Sequence, residues 1–235
     1  MYKRKIISAV ILCAVIPAAV ILGWFLSSGK QYYLLSFIVI AVSMLPFFLS
    51  LERKKLQARE LVIIASVSAI AAASRAAFFF LPQIKPMCAV LIIAALAFGA
   101  EFGFVSGALS MLISNFVYGQ GMWTPFQMMG MGMTVFLCAV IIKTFKIKNR
   151  IIIGVISGVL CFFVYGIIVD LGSVFMMVSQ FNLKSIFAVY SAGIPFNIIH
   201  SISTAVIVAL IQPPVTEKLE RIKIKYGIFA EKSIK

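Results

Sequence analysis

The stretch LERKKLQARELVIIASVSAIAAASRAAFFF (residues 51–80) passes from the densest charge run between apolar segments into a long apolar run. An apolar segment of that length can cross a hydrocarbon core of about 30 Å. A basic flank of this kind is the mark of a cytoplasmic loop beside a membrane helix. The same alternation of basic loop and apolar run recurs along the whole chain. Of the 235 residues, 63% are hydrophobic and 12% charged, and the mean hydropathy is +1.10. A soluble domain cannot hide that much apolar surface, so the sequence describes an all-α integral membrane protein. The net charge of +14 is accounted for by residues flanking membrane spans and gives no reason to invoke nucleic acid.

Eight apolar segments are expected, at residues 6–26, 33–51, 60–80, 87–99, 102–118, 126–143, 151–178 and 185–211. The first follows a basic MYKRK but is too long for a signal-peptide core, and a second span comes almost at once, so it reads as a retained helix. With eight spans, both termini and every second loop share one side. Seventeen of the 21 Lys/Arg then fall on that side, leaving only Lys30, Arg75, Lys85 and Lys184 elsewhere. The excess of positive charge places both termini in the cytoplasm. The same count argues that the short segment 87–99 spans, because otherwise the basic clusters would lie on opposite sides. The loop GQGMWTP (residues 119–125) then faces outward, together with LPQIKP and SQFNLK.

The charge run at 51–60 divides the chain. A two-helix extension (1–52), read as an anchor or lateral packing unit, precedes a six-helix body (53–214), and a basic cytoplasmic tail (215–235) follows. The four cysteines, Cys13, Cys88, Cys138 and Cys161, all lie in apolar runs, with no CxxC and no His at ligand spacing. They read as small packed hydrophobes, and no metal site is expected.

Several residues within this apolar background carry information. Ala65, Ala69, Ala73 and Ala77 recur every fourth residue. At about 100° per residue this stripe drifts slowly round the helix, leaving a small-residue face for close helix approach. It serves either a partner or the chain's own bundle. Gly99, Gly103 and Gly107 repeat at the same interval around FGAEFGF, as expected of a tight hairpin with Glu101 at its apex. Arg75, Asp170 and His200 are ionisable residues inside spans, where each is costly and points to a partner or a wet cavity. Arg75 and Asp170 fall in the outer halves of their helices and either pair or line a cavity, or Arg75 snorkels to solvent. Tyr190, Gly193, Asn197 and His200 form a polar stripe on the last span. Gln120, Trp123, Thr124 and Gln127 crowd a short glycine-bounded loop, and FFFLPQIKP (residues 78–86) makes a second stiff loop. Two constrained loops over polar residues suggest a lidded small-molecule site; Trp123 alone could equally be a membrane-belt tryptophan.

On the alanine stripe, ASRAAFFFLPQIKP, FGAEFGFVSGALSMLISN and GQGMWTPFQM, the chain from about residue 56 to 214 resembles the substrate-specific S components of the energy-coupling factor (ECF) vitamin transporters. The order of the last two motifs is similar to the subgroup associated with cobalamin-type substrates. The two-helix extension departs from the usual six-helix body. The resemblance implies a subunit of the bacterial cell membrane that captures a vitamin or precursor, cobalamin or a related corrinoid by the motif order, on the extracellular side. It implies partnership with a transmembrane coupling subunit, docked on Ala65, Ala69 and Ala73, and with two cytoplasmic ATPases. No P-loop occurs in this chain, so ATP hydrolysis would belong to those partners. The expected ligand contacts are Arg75, Phe78, Lys85, Gln120, Trp123, Thr124, Gln127, Asp170, Asn197 and His200, with no cofactor. An intramembrane enzyme using Asp170 or His200, a non-transporting scaffold, and a solo ion-driven carrier remain as alternatives. The enzyme lacks HExxH, paired carboxylates or a GxSxG nucleophile to support it.

Overall fold

The first described helix begins where the charge run ends. Glu60 accepts a hydrogen bond from the Gln57 amide at 2.9 Å, closing one of the donor groups that a helix start leaves open. In this computed structural model, residues 42, 44, 45, 57–178 and 182–228 are described. Residues 57–178 and 182–228 form six helices and no strand: α1 (Ala58–Ala77), α2 (Met87–Phe98), α3 (Ala100–Tyr118), α4 (Thr124–Thr144), α5 (Arg150–Met177) and α6 (Leu183–Tyr226). Five of them are long and apolar enough to cross a membrane. Nearly all of the two-helix extension expected over residues 1–52 lies outside the described residues.

The segment expected over 87–99 is the short α2, of 12 residues. At about 1.5 Å per residue it rises about 18 Å, well short of the hydrocarbon thickness. Its uniform apolarity has another reason: every residue of α2 except Val90 is buried. Contact with the other helices surrounds it, so it has no polar face to turn outward. Gly99 then reverses the chain directly into α3 with φ of +118°, a backbone conformation that costs other residues steric strain.

Small residues set the spacing of the neighbouring helices. On α3, a Cβ built at Gly107 would lie 3.1 Å from the Cα of Gly132 on α4. The expected Gly99–Gly103–Gly107 hairpin packing is therefore shared with a third element: Gly103 faces Ala95 of α2 and Val135 of α4, and Gly107 meets α4. The α5–α6 hairpin closes in the same way, with Gly158 against Ser201, whose hydroxyl donates to the Gly158 carbonyl at 2.7 Å. Close backbone approach is how helices associate where lipid offers no hydrophobic gain.

Helix α5 is continuous but contains a π segment at Cys161–Tyr165, the type of local widening that recurs near functional sites. It begins at Asn149, whose side chain accepts from the amides of Ile151 and Ile152. Asn149→Ala should cost about 1 kcal/mol of stability, read as a lowered thermal midpoint in detergent with ligand occupancy unchanged.

Helix α6 runs 44 residues to Tyr226, through Pro213 and Pro214 and past the apolar limit near residue 211. Its end is a left-handed Gly227 (φ +58°), followed by the buried Ile228, whose amide bonds the Lys223 carbonyl at 3.0 Å. Lys223 in turn donates to the Ala97 carbonyl at 2.9 Å, tying this extension to the end of α2. Large apolar side chains such as Phe116, Val117, Phe187 and Ile202 remain exposed on the bundle surface, as expected of a lipid-facing wall.

Candidate functional site

Helices α1, α3 and α5 all end at the same end of the bundle, and the chemistry collects there. Carbonyls of the turn that follows α1 are gathered by one cation. Lys85 donates to the carbonyls of Phe78 (2.5 Å), Leu81 (2.9 Å) and Phe79 (3.3 Å). Desolvation, and then the positive charge of Arg75, lowers the Lys85 pKa. This coils loop 78–86 over the helix end and puts Gln83 at φ +58°. The strained Gln83 is held from the far side of the bundle, its carbonyl 3.2 Å from Nδ1 of His200 on α6.

Beneath this loop is a cavity of about 190 Å³ lined by Arg75, Gln83, Lys85, Met87, Met111, Tyr118, Met131, Tyr165 and His200. Arg75 is fixed by α3: its Nη1 donates to Ser114 Oγ at 2.6 Å and to Asn115 Oδ1 at 3.0 Å. Its guanidinium also stacks 4.3 Å from the Tyr118 ring centre. The Tyr118 hydroxyl donates back to the Arg75 carbonyl at 2.7 Å. A guanidinium presents five donors in a rigid plane, so this geometry leaves part of it for a guest. The wall chemistry suits a ligand with an anionic group and an apolar or aromatic body: two cations, three thioethers and two phenols.

Of the ten residues expected at the site, Arg75, Lys85 and His200 line the cavity. Gln120, Thr124 and Gln127 connect to it indirectly, through Asn115. The Asn115 amide donates to Gln127 Oε1 at 2.8 Å and Thr124 Oγ1 at 3.1 Å. Thr124 donates to Gln120 Oε1 at 3.0 Å, and Gln120 donates to the Leu112 carbonyl at 2.9 Å. The polar loop therefore braces α3 against α4 and orients the arginine. Phe78 contributes its carbonyl to Lys85. Trp123 is 40% exposed and folds onto Gly121 of its own loop.

Asp170 and Asn197 form a separate pair. Asn197 donates to the carboxylate at 2.7 Å, and Gly193 leaves the space the carboxylate occupies. Arg75 and Asp170 do not bind each other, each being held by other groups. The polar stripe of α6 is thus largely a seam against α5, with Tyr190 donating to the Ile167 carbonyl at 3.2 Å and only His200 reaching the cavity.

Sequence reading missed Gln83, Met87, Met111, Tyr118, Met131 and Tyr165 as cavity walls, and Asn115 as the hub. Asn115 had a legible signal, being an amide within a span. The methionines had none, since a core methionine looks the same.

The alanine stripe is also placed. Ala65, Ala69, Ala73 and Ala77 are all exposed, whereas Ile64, Ser68, Ala71 and Ala72 face the bundle.

A family model described as ECF transporter, substrate-specific component, matches residues 59–212. No curated protein and no solved structure matches the chain.

Proposed function

This chain belongs to the substrate-specific components of ECF transporters, and from that premise we propose that the cavity under loop 78–86 receives the transported small molecule, with Arg75 binding its anionic group. Members of this family are substrate-binding membrane subunits rather than enzymes, and membership implies association with a coupling subunit and ATPases. The observation that carries the substrate reading is Arg75, pinned by Ser114 and Asn115 with its plane on Tyr118 at the cavity wall. Preorganised charge of this kind favours an anion without further ordering.

With α2 counted as a crossing, the charge asymmetry of the loops supports capture from the extracellular side, with loops 78–86 and 119–123 as the outer rim. The motif order supports a corrinoid as the cargo. A cavity of about 190 Å³ lies below the roughly 300–1,000 Å³ of common ligand pockets. A corrinoid would therefore enter by parting the rim, with the Gln83–His200 contact as the first to break. Native mass spectrometry of the detergent-purified chain should show one bound small molecule, whose mass names it. A chain that stays empty after incubation with corrinoids and other anionic vitamins would sink this reading.

The exposed Ala65, Ala69 and Ala73 support α1 as the face that docks on the coupling subunit, since small side chains let another helix approach closely. Ala69→Trp combined with Ala73→Trp should abolish co-purification with the coupling subunit and ATPases while ligand occupancy stays at the wild-type level. Intact assembly in that variant would remove α1 from the docking surface.

A further inference from the structure

Directly behind the cavity wall, three residues far apart in sequence converge: Cys88 of α2, Cys161 in the π segment of α5, and His200 of α6. Their ligand atoms lie within 4.8 Å of one another. All three side chains are buried, at 0%, 1% and 6% exposure. A second feature, independent of the cysteines, points the same way. His200 Nδ1 faces the Gln83 carbonyl at 3.2 Å, which can only accept a hydrogen bond. Nδ1 therefore carries the proton, and in the neutral ring Nε2 carries the lone pair. That Nε2 is buried and has no hydrogen-bond partner.

We infer that Cys88, Cys161 and His200 form a binding site for a single thiophilic d10 metal ion, Zn²⁺ or Cu⁺, joining α2, α5 and α6. Two sulfurs and one imidazole are the donor set that such ions select. Around one ion, with metal–sulfur bonds of about 2.3 Å and metal–nitrogen bonds of about 2.0 Å, ligand atoms sit roughly 3.5–4 Å apart. A closure of about 1 Å or less would bring the three into range. The supporting shell is present: the Gln83 carbonyl orients the imidazole, and Thr204 donates to Cys161 Sγ at 3.7 Å. A way in exists too, because His200 lines the cavity. Binding replaces the two thiol protons with the cation, those protons pass to solvent, and nothing is oxidised or reduced. With Zn²⁺ the two thiolates leave the complex neutral, which suits a buried setting.

The site shares His200 with the cavity wall, but neither thiol lines the cavity, so the cysteine dependence of metal binding is read independently of the substrate reading. The test uses the full chain, purified in detergent, reduced and stripped with chelator, then titrated with Zn²⁺ alone and with Cu⁺ alone against competing chromophoric chelators. One ion per chain is expected, with a thiolate-to-metal charge-transfer band when Co²⁺ is substituted. Cys88→Ser and Cys161→Ser should each weaken binding at least 100-fold, His200→Gln similarly, and Cys138→Ser not at all. Preference for one ion over the other, with the same cysteine dependence, supports the site and names its occupant. In the wild-type chain the metal should also protect Cys88 and Cys161 from alkylation, a readout that needs no variant to fold. Absence of metal binding, binding that survives loss of both thiols, or recovery of the two cysteines as a disulfide from the metal-treated chain would overturn the site.

Discussion

Arg75→Ala is expected to lower substrate affinity by about two orders of magnitude, read as the fraction of purified chain carrying the small molecule in native mass spectrometry and by calorimetry once that molecule is known. A hydrogen bond to a charged group contributes about 1.5–3 kcal/mol, and each 1.4 kcal/mol is tenfold in affinity. The substitution removes the charge facing the guest and also empties the space beside Ser114, Asn115 and Tyr118. Arg75→Lys separates these contributions. It keeps the charge but lacks the flat fork that bonds two α3 side chains while lying on a tyrosine ring, so a loss nearer tenfold is expected. Unchanged occupancy in Arg75→Ala would mean that the arginine only fastens α1 to α3, and the anionic ligand would lose its main support.

The largest expected loss of stability comes from the α3–α4 contact. A Cβ at Gly132 would meet the Phe104 carbonyl oxygen and ring atoms at 2.9 Å, and that oxygen belongs to the backbone. Gly132→Leu therefore cannot be absorbed by a rotamer change and must push the two helices apart. Overpacking of this kind typically costs 1–3 kcal/mol, and about 3 kcal/mol is expected here, seen as a lower thermal midpoint in detergent. Because Asn115 on α3 bonds Thr124 and Gln127 on α4 across the same contact, ligand occupancy should fall with it. Gly132→Ala should show a smaller shift in the same direction. Wild-type stability in Gly132→Leu would show that the helices can separate here at little cost.

The two variants probe one device from opposite ends. Arg75 is held by Ser114 and Asn115, and Asn115 is itself bonded to Thr124 and Gln127 across the glycine-backed α3–α4 contact. That explains the chemistry crowded into residues 119–127: its amides and hydroxyl bond to each other and to α3, positioning the cation that lines the cavity.

Sequence alone determined that this is a helical membrane protein, because apolar run length and the placement of basic residues are local properties with a direct physical reading. It also singled out Arg75 and His200, since an ionisable residue in an apolar run stands out without any knowledge of its neighbours. Tertiary structure decided what those residues meet. Asp170 turned to Asn197 rather than Arg75, most of the polar stripe of α6 became a packing seam, and the central α2 proved short and almost wholly enclosed by its neighbours. Likewise, the cysteines that read as inert filler stand beside a histidine contributed by a distant helix. Such outcomes depend on helix rotation and spacing, which are set by close contacts such as Gly107 on Gly132 and Gly158 on Ser201. In lipid, where burial of apolar surface says little about which face turns inward, those contacts between distant segments decide it.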